Sequence, residues 1–380
     1  MTDHELHAHL IGRQGSREAL NTPALVLDLD ALDRNIAAMA TLVAAHGVQL
    51  RPHAKTHKSV DISRRQIAAG AVGLCCAKIG EAEVLVDGGI TGVLITSPVA
   101  APAAIERMAV LAKRSPTLMA VVDHGEVVAA IARALSDRDA TLDVLIDIDP
   151  GIHRTGVACA DAAVALASAI AASPRLRYRG VQFYCGAQQH IESFADRRAA
   201  IEERTDYLQG VIAALTVAGF APEIVSGSGT GTHRIDLALG VLTEIQAGSY
   251  VFMDKQYLDC DLADSPTPPF ETALSVDSRV VSANHKGLVT IDAGFKSLST
   301  DGGVAVVQRG APADTRFVFM GDEHGALIGA GIGDQMKPGD AVTLTVPHCD
   351  PTVNLYDTYH VVRGDTLIDL WPVSARGRAR

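Results

Sequence analysis

The chain has 380 residues, 48% of them apolar, enough to bury a sizeable core in one large domain or two ordinary ones. Its net charge of −11 argues against broad binding to nucleic acid or anionic membranes, and no apolar run is long enough to span a bilayer. Six cysteines without C-x-x-C spacing, and an N-terminus without the apolar stretch of a signal peptide, point to free thiols in a reducing cytoplasm.

After Pro23, ALVLDL reads as a short buried strand and Asp30 as the N-cap of a helix. Leu32, Ile36, Met39 and Val43 recur on one helical face, and Gly47 is the expected stop. VQLRPH then reads as a strand and DISRRQIAAG as a helix. The alternation continues through AVGLCCA, TGVLITS, TLMAVVD, TLDVLIDID, YRGVQFYC and PEIVSGS, with helical segments such as APAAIERMAVLAKR between them. Eight strand candidates alternating with helices predict a parallel α/β sheet closed into a (β/α)8 barrel over residues 23–250. Beyond that point FETALSVDSRVVSA, LVTIDAG, TRFVFMG, AVTLTVPH and YHVVRGDTLIDLWPV read as strands with little helix, which predicts a smaller all-β domain over residues 251–380. Residues 1–22 precede the barrel and are expected to pack on that second domain.

In a parallel barrel the chemistry sits where strands end and loops begin. Here the candidate strand ends carry 51-RPHAKTHKS-59, with His53, Lys55 and His57; PGIHRTGV, with Arg154; Tyr184; and the glycine-rich 226-SGSGTGTH-233, followed by 246-QAGSY-250. Glycines let a backbone approach a phosphate closely, although SGSGTG alone is equally consistent with a flexible turn. A lysine facing a phosphate cradle across a barrel mouth is what pyridoxal phosphate needs, because the amine forms an imine with the cofactor aldehyde. Taken singly, Lys55 also reads as a solvated surface lysine, the commonest fate of that residue.

PHAKTHK, GLCCAKIGEAE, IHRTGV, SGSGTGT, EIQAGSYVFMD, DEHG and HCDPTVNLYD occur in this order from about Thr22 to the end. Together they resemble the D-threonine aldolase and D-serine dehydratase-like family of pyridoxal-phosphate enzymes with the alanine-racemase fold. The resemblance implies that Lys55 carries the cofactor and Arg154 faces its pyridine nitrogen. It implies that Tyr184 lines the cofactor ring, that Gly229, Thr230, Gly248 and Ser249 hold the phosphate, and that His53, Ser228 and Tyr250 are also cofactor-binding. His190, in CGAQQH, matches a histidine suited to a general base. The chain departs from some relatives at Cys185, where they have histidine, and in His233–Arg234, where Arg234 reads equally as surface.

The motif 348-HCD-350 is the second constellation. On an extended strand, residues two apart face the same way, so His348 and Asp350 would converge and Cys349 would point away. By itself an H-x-D reads first as a hydrogen-bonded pair in a turn. The resemblance places a divalent metal there, and an oxygen–nitrogen ligand pair favours Mn²⁺, Mg²⁺ or Co²⁺ over Zn²⁺. The implied activity is aldol cleavage of a β-hydroxy-D-amino acid, D-threonine or D-3-hydroxyaspartate, to glycine and an aldehyde. The alternative is a dehydratase acting on D-serine or D-3-hydroxyaspartate, whose relatives tend to carry H-x-C. The implied assembly is a homodimer.

Overall fold

The computed structural model describes residues 1–380. Seventeen strands appear in chain order. They are β1 (Ala24–Asp28), β2 (Gln49–Leu50), β3 (Cys75–Cys76), β4 (Leu94–Ile95), β5 (Met119–Val122), β6 (Leu142–Asp147), β7 (Leu176–Phe183), β8 (Ile224–Gly227), β9 (Glu244–Ile245), β10 (Leu274–His285), β11 (Leu288–Ile291), β12 (Val306–Arg309), β13 (Arg316–Phe319), β14 (Gly325–Ile328), β15 (Ala341–Thr345), β16 (Thr358–Arg363) and β17 (Thr366–Pro372).

The parallel sheet runs β2-β9-β8-β7-β6-β5-β4-β3. Its two ends meet through a parallel bridge between His53 and Cys75, in which Cys75 N–H donates to Pro52 O at 2.9 Å and Ala54 N–H to Cys75 O at 2.7 Å. That closes an eight-stranded (β/α) barrel. Its strand interiors are buried on both faces, as the continuous apolar runs require. At Gly180 a side chain is sterically excluded, because a Cβ would lie 1.9 Å from the Ile224 carbonyl oxygen on β8.

The number of barrel strands matches the expectation, but their membership does not. β1 lies outside the barrel, where it pairs antiparallel with β10 (Ala24↔Asp277 to Leu27↔Leu274) and parallel with β16 (Val26↔His360 to Asp28↔Val362). The eighth barrel strand is instead β9, which joins β8 to β2. Nor is Asp30 the helix cap. Asp28 accepts from the N–H groups of Asp30 and Ala31 and starts the helix Leu29–Ala45, which buries Leu32, Ile36, Met39 and Val43 and ends before Gly47 at φ +66°.

The second sheet, antiparallel except between β1 and β16, runs β13-β14-β11-β10-β1-β16-β17, and β15 joins β10 to β12. Residues preceding β1 lie against it. Gly12 N–H donates to Leu367 O at 2.8 Å, Arg17 forks onto Asp277 at 2.7 and 2.8 Å, and Leu10 and Leu20 pack with Val26, Val362 and Leu367. One apolar core runs unbroken from the barrel helices into this second sheet. No helix is long and apolar enough to cross a membrane.

Candidate active site

The loop after β2 is held from several sides. Lys58 N–H donates to Ala54 O at 2.7 Å, and Ser59 caps the helix Val60–Ala68. His57 is fully buried, and Tyr359 of β16 donates its hydroxyl to the His57 carbonyl at 2.6 Å. His53 Nδ1 accepts from Lys55 N–H at 3.3 Å, so its proton resides on Nε2, which donates to Thr96 Oγ1 at 3.0 Å. Thr96 in turn donates to Cys76 O. This fixes the ring of His53 and aims Lys55 into the barrel mouth.

There a cavity of about 430 Å³ opens at the C-terminal ends of the strands. Lys55, His53, Arg154, Tyr184, Gly229, Thr230, Gly248 and Ser249 all line it. Arg154 lies over the Tyr184 ring, 5.9 Å from its centroid. A side chain at Gly248 would meet His53 O and Thr56 Oγ1 at 2.9 Å, so the backbone there packs directly against the lysine loop. No aspartate or glutamate lines the cavity, whereas Lys55, Lys78 and Arg154 do. In a chain of net charge −11, that is a local reversal of sign suited to an anionic ligand.

Two expected cavity residues face elsewhere. Tyr250 is fully buried in the core, where its ring packs on Phe270, its hydroxyl accepts from Gln66 and its N–H donates to Thr230 Oγ1. The apolar ring finds more contact in the core than in a polar cavity. Ser228, in the left-handed region at φ +70°, lies beneath the loop in a small crevice with Cys185 and Asp236. His190 is an exposed rim residue; its ring packs on Tyr257, 4.6 Å between centroids, and Tyr257 lines the cavity. Partial burial and the nearby His348 lower the pKa of His190 below its ordinary value.

The motif 348-HCD-350 does not lie on a strand. β15 ends at Thr345, His348 has extended dihedrals, and Cys349–Val353 is a helix. The two side chains still converge, with His348 Nε2 3.8 Å from Asp350 Oδ2. They do so because the chain turns into a helix between them. Cys349 is fully buried, its N–H donates to Asp254 at 2.8 Å, and burial holds its thiol pKa well above the usual range.

Asp350 also reaches the barrel: one oxygen forms an ion pair with Lys55 Nζ, and the other accepts from Thr56 Oγ1 at 2.9 Å. Burial would raise the Asp350 pKa, but Lys55 and His348 outweigh it and hold the carboxyl ionised. Lys55 is likewise held protonated, against its own desolvation, mainly by Asp350. The two motifs, 295 positions apart in sequence, thus meet in one site.

Sequence reading missed several neighbours. Thr56, Lys78, Gln182, Gln246 and Tyr257 all line the cavity or touch its motifs. Asp301 holds His348 Nδ1 at 2.7 Å. Gln182, two residues before Tyr184 on a strand, was detectable by period, whereas Asp301 carries no local signal.

Residues 27–256 match the family model described as alanine racemase, N-terminal domain, and residues 273–362 the one described as putative serine dehydratase domain. The first match alone spans more than half of the chain.

The chain belongs to the alanine-racemase-like family of D-amino-acid aldolases and dehydratases.

Within this family it is 39% identical to a 3-hydroxy-D-aspartate aldolase of Paracoccus denitrificans (strain Pd 1222), over 94% of this chain and 93% of that one. It superposes on a D-threonine aldolase from Filomicrobium marinum with a TM-score of 0.91 and 40% identity, covering 96% and 97% of the two chains. A D-threo-3-hydroxyaspartate dehydratase of Delftia sp. (strain HT23) is further off, at 31% identity over 93% of this chain and 97% of that one. Family membership implies pyridoxal phosphate, and the cavity fits that group: it joins the lysine amine of Lys55, a close-packed glycine backbone and two further cations, Lys78 and Arg154, that form no ion pair. The His348–Asp350 pair fits a divalent cation in the same physical sense. With Nδ1–H donated to Asp301, the imidazole keeps its Nε2 lone pair free beside a carboxylate.

Proposed function

We propose that the protein is a pyridoxal-phosphate- and divalent-metal-dependent lyase that cleaves β-hydroxy-D-amino acids, D-threonine or 3-hydroxy-D-aspartate, to glycine and an aldehyde. The observation that carries this reading is the meeting of Asp350 with Lys55, because it puts the candidate metal ligands beside the candidate cofactor lysine. The aldolases of the family are more similar to this chain than the dehydratase is, and the motif has aspartate where a thiolate would favour Zn²⁺.

In this reading Lys55 holds the cofactor, and Gly229, Thr230, Gly248 and Ser249 hold its phosphate. When bound, the cofactor supplies a sink for the electron pair released on Cα–Cβ cleavage, and a metal on His348 and Asp350 supplies Lewis acidity at the substrate hydroxyl. Arg154 facing the ring nitrogen keeps it unprotonated, since a guanidinium does not give up its proton. Tyr184 lines the ring. His190 accepts the β-hydroxyl proton on a ring nitrogen, and its lowered pKa leaves it neutral and able to do so at pH 7. The same reading assigns Mn²⁺, Mg²⁺ or Co²⁺ to the metal pair. It also assigns a homodimer and, from six unpaired cysteines, a cytoplasmic location.

The test is a product assay on the metal-loaded holoenzyme with D-threonine, 3-hydroxy-D-aspartate and D-serine. Glycine plus an aldehyde is expected from the first two, with D-serine a poor substrate for loss of water. Ammonia plus a 2-oxo acid as the dominant products from every substrate would overturn the aldolase reading.

A further inference from the structure

Gln189 immediately precedes His190, yet it is fully buried and does not line the cavity. Its side chain lies between two loops, the turn after β7 and the glycine-rich loop after β8. Its Oε1 accepts the Gly231 N–H at 3.0 Å. Its Nε2 donates to Cys185 O and to Thr232 Oγ1, both at 3.1 Å. A backbone N–H only donates and a carbonyl only accepts, so these partners fix the amide in one orientation.

The glycine-rich loop is shaped around this side chain. A Cβ at Gly229 would lie 2.3 Å from Gln189 Oε1, and one at Gly231 would lie 1.9 Å from Gln189 O. Gln189 thus demands glycine at both positions, whatever ligand the loop meets. Thr232 extends the contact, because its Oγ1 also accepts the Gly229 N–H at 3.3 Å. The N–H groups of Gly229 and Gly231 are therefore both taken within the protein. Between them the Thr230 N–H has no protein acceptor, and Thr230 lines the cavity. A loop binds an anion through the N–H groups it leaves unpaired, and here Gln189 governs which those are.

Resting on the reading that this loop holds the cofactor phosphate, we infer that Gln189 is a positioning residue for that phosphate. It touches neither cofactor nor substrate. It holds Gly229–Thr232 in the conformation that leaves the Thr230 N–H for the phosphate, and it anchors that loop to the turn that carries His190.

The experiment titrates the full-length protein, stripped of cofactor, with pyridoxal phosphate and with pyridoxal, followed by absorbance. Both ligands carry the aldehyde that reacts with a lysine amine, and only one carries the phosphate. The ratio of their affinities therefore reads the phosphate contact alone. The wild type should prefer the phosphorylated ligand by about 10-fold or more. Gln189→Met removes the three hydrogen bonds at similar volume. It should cut the preference by about 10-fold while leaving pyridoxal affinity within about 3-fold. Thr232→Val should act in the same direction by about 3-fold or more, and Thr232→Ser, which keeps the hydroxyl, should bind both ligands as the wild type does. If Gln189→Met does not fold, the Thr232 pair decides by the same ratio.

A preference that survives in Gln189→Met overturns the assignment. So does an equal loss of both ligands, which is what a merely structural defect would give. If the wild type itself shows no preference, the phosphate reading of the loop falls, and the role of Gln189 falls with it. The wild-type titration thus separates failure of that reading from failure of Gln189 alone.

Discussion

Two turns build this site, and they are held in different ways. The turn after β2 carries Lys55 and is fixed largely within the barrel, through the His53–Thr96–Cys76 chain and the bridge to Cys75. The turn after β15 carries His348 and Asp350 and is fixed mostly by borrowed partners. Asp254 from the end of the barrel segment takes Cys349 N–H, Ser299 takes His348 N–H, and Asp301 takes the His348 ring. The side chains of His348 and Asp350 are 22% and 15% exposed, against 39% for Lys55, so the two turns differ in what holds them rather than in how open they are. A change at His348 therefore removes contacts of the second turn and none of those that hold the first.

The largest effect should come from breaking the second turn alone. His348→Ala should lower kcat by about 10³-fold, as loss of Lewis-acid stabilisation does, while leaving the cofactor absorbance in place. Chelation of the wild type should give the same phenotype, checked by spectrum and by activity after readding metal. If the chelated enzyme loses its cofactor first, the two halves are not separable.

A smaller effect is expected at the rim. His190→Ala should lower kcat by about 10²-fold with substrate binding retained, the lower end of what a general base contributes. The pH–rate profile gives a second readout. Because burial and His348 depress the His190 pKa, the wild-type rate should fall on acidification only below the ordinary imidazole value of 6.5. That acid limb should vanish in the variant. Unchanged turnover would assign the proton to another group.

The smallest effect lies beneath the barrel loops. Asp236, in the helix after the phosphate-side loop, keeps a buried oxygen without a partner, and burial raises its pKa to about 6. Since the folded pKa is raised above the unfolded 3.8, the native state binds more protons between these values, and stability falls as pH rises from about 4 to about 6. Above that range the deficit is complete. Asp236→Asn should therefore melt higher than wild type by about 2–4 °C at pH 7.5. At pH 4 and below it should show no gain, as thermal scans at the two pH values would reveal.

The comparison also explains what could be read from the sequence. Lys55, Arg154, Tyr184 and the glycine loops stand at barrel strand ends, where the alternation of strand and helix locates them by local pattern alone. β1 was assigned to the wrong sheet because a short, fully buried strand has the same apolar run in either setting. β9, two residues long, shows no period at all. His348 and Asp350 converge as expected but through a helical turn, since i and i+2 spacing does not separate a strand from an extended residue that caps a helix. That the Tyr250 ring turns into the core is not legible either, because an aromatic beside a glycine-rich loop looks the same facing inward or outward. The partners of the second turn, Asp254, Ser299 and Asp301, lie 47 to 95 positions away and leave no local trace.

The placement of β1 bears on how this molecule can be divided. It sits between β10 and β16, so the middle of the second sheet is supplied by residues that precede the whole barrel. A fragment cut in the linker after residue 256 would leave two long strand edges facing an empty slot, an invitation to aggregation rather than a free-standing module. Any workable dissection, or any circular permutation that seeks new ends, has to carry residues 24–28 along with the C-terminal sheet. The chain enters through its second domain, traverses the first and returns, so the barrel is one contiguous stretch of gene while the sheet behind the His348–Asp350 turn is encoded in two separated pieces.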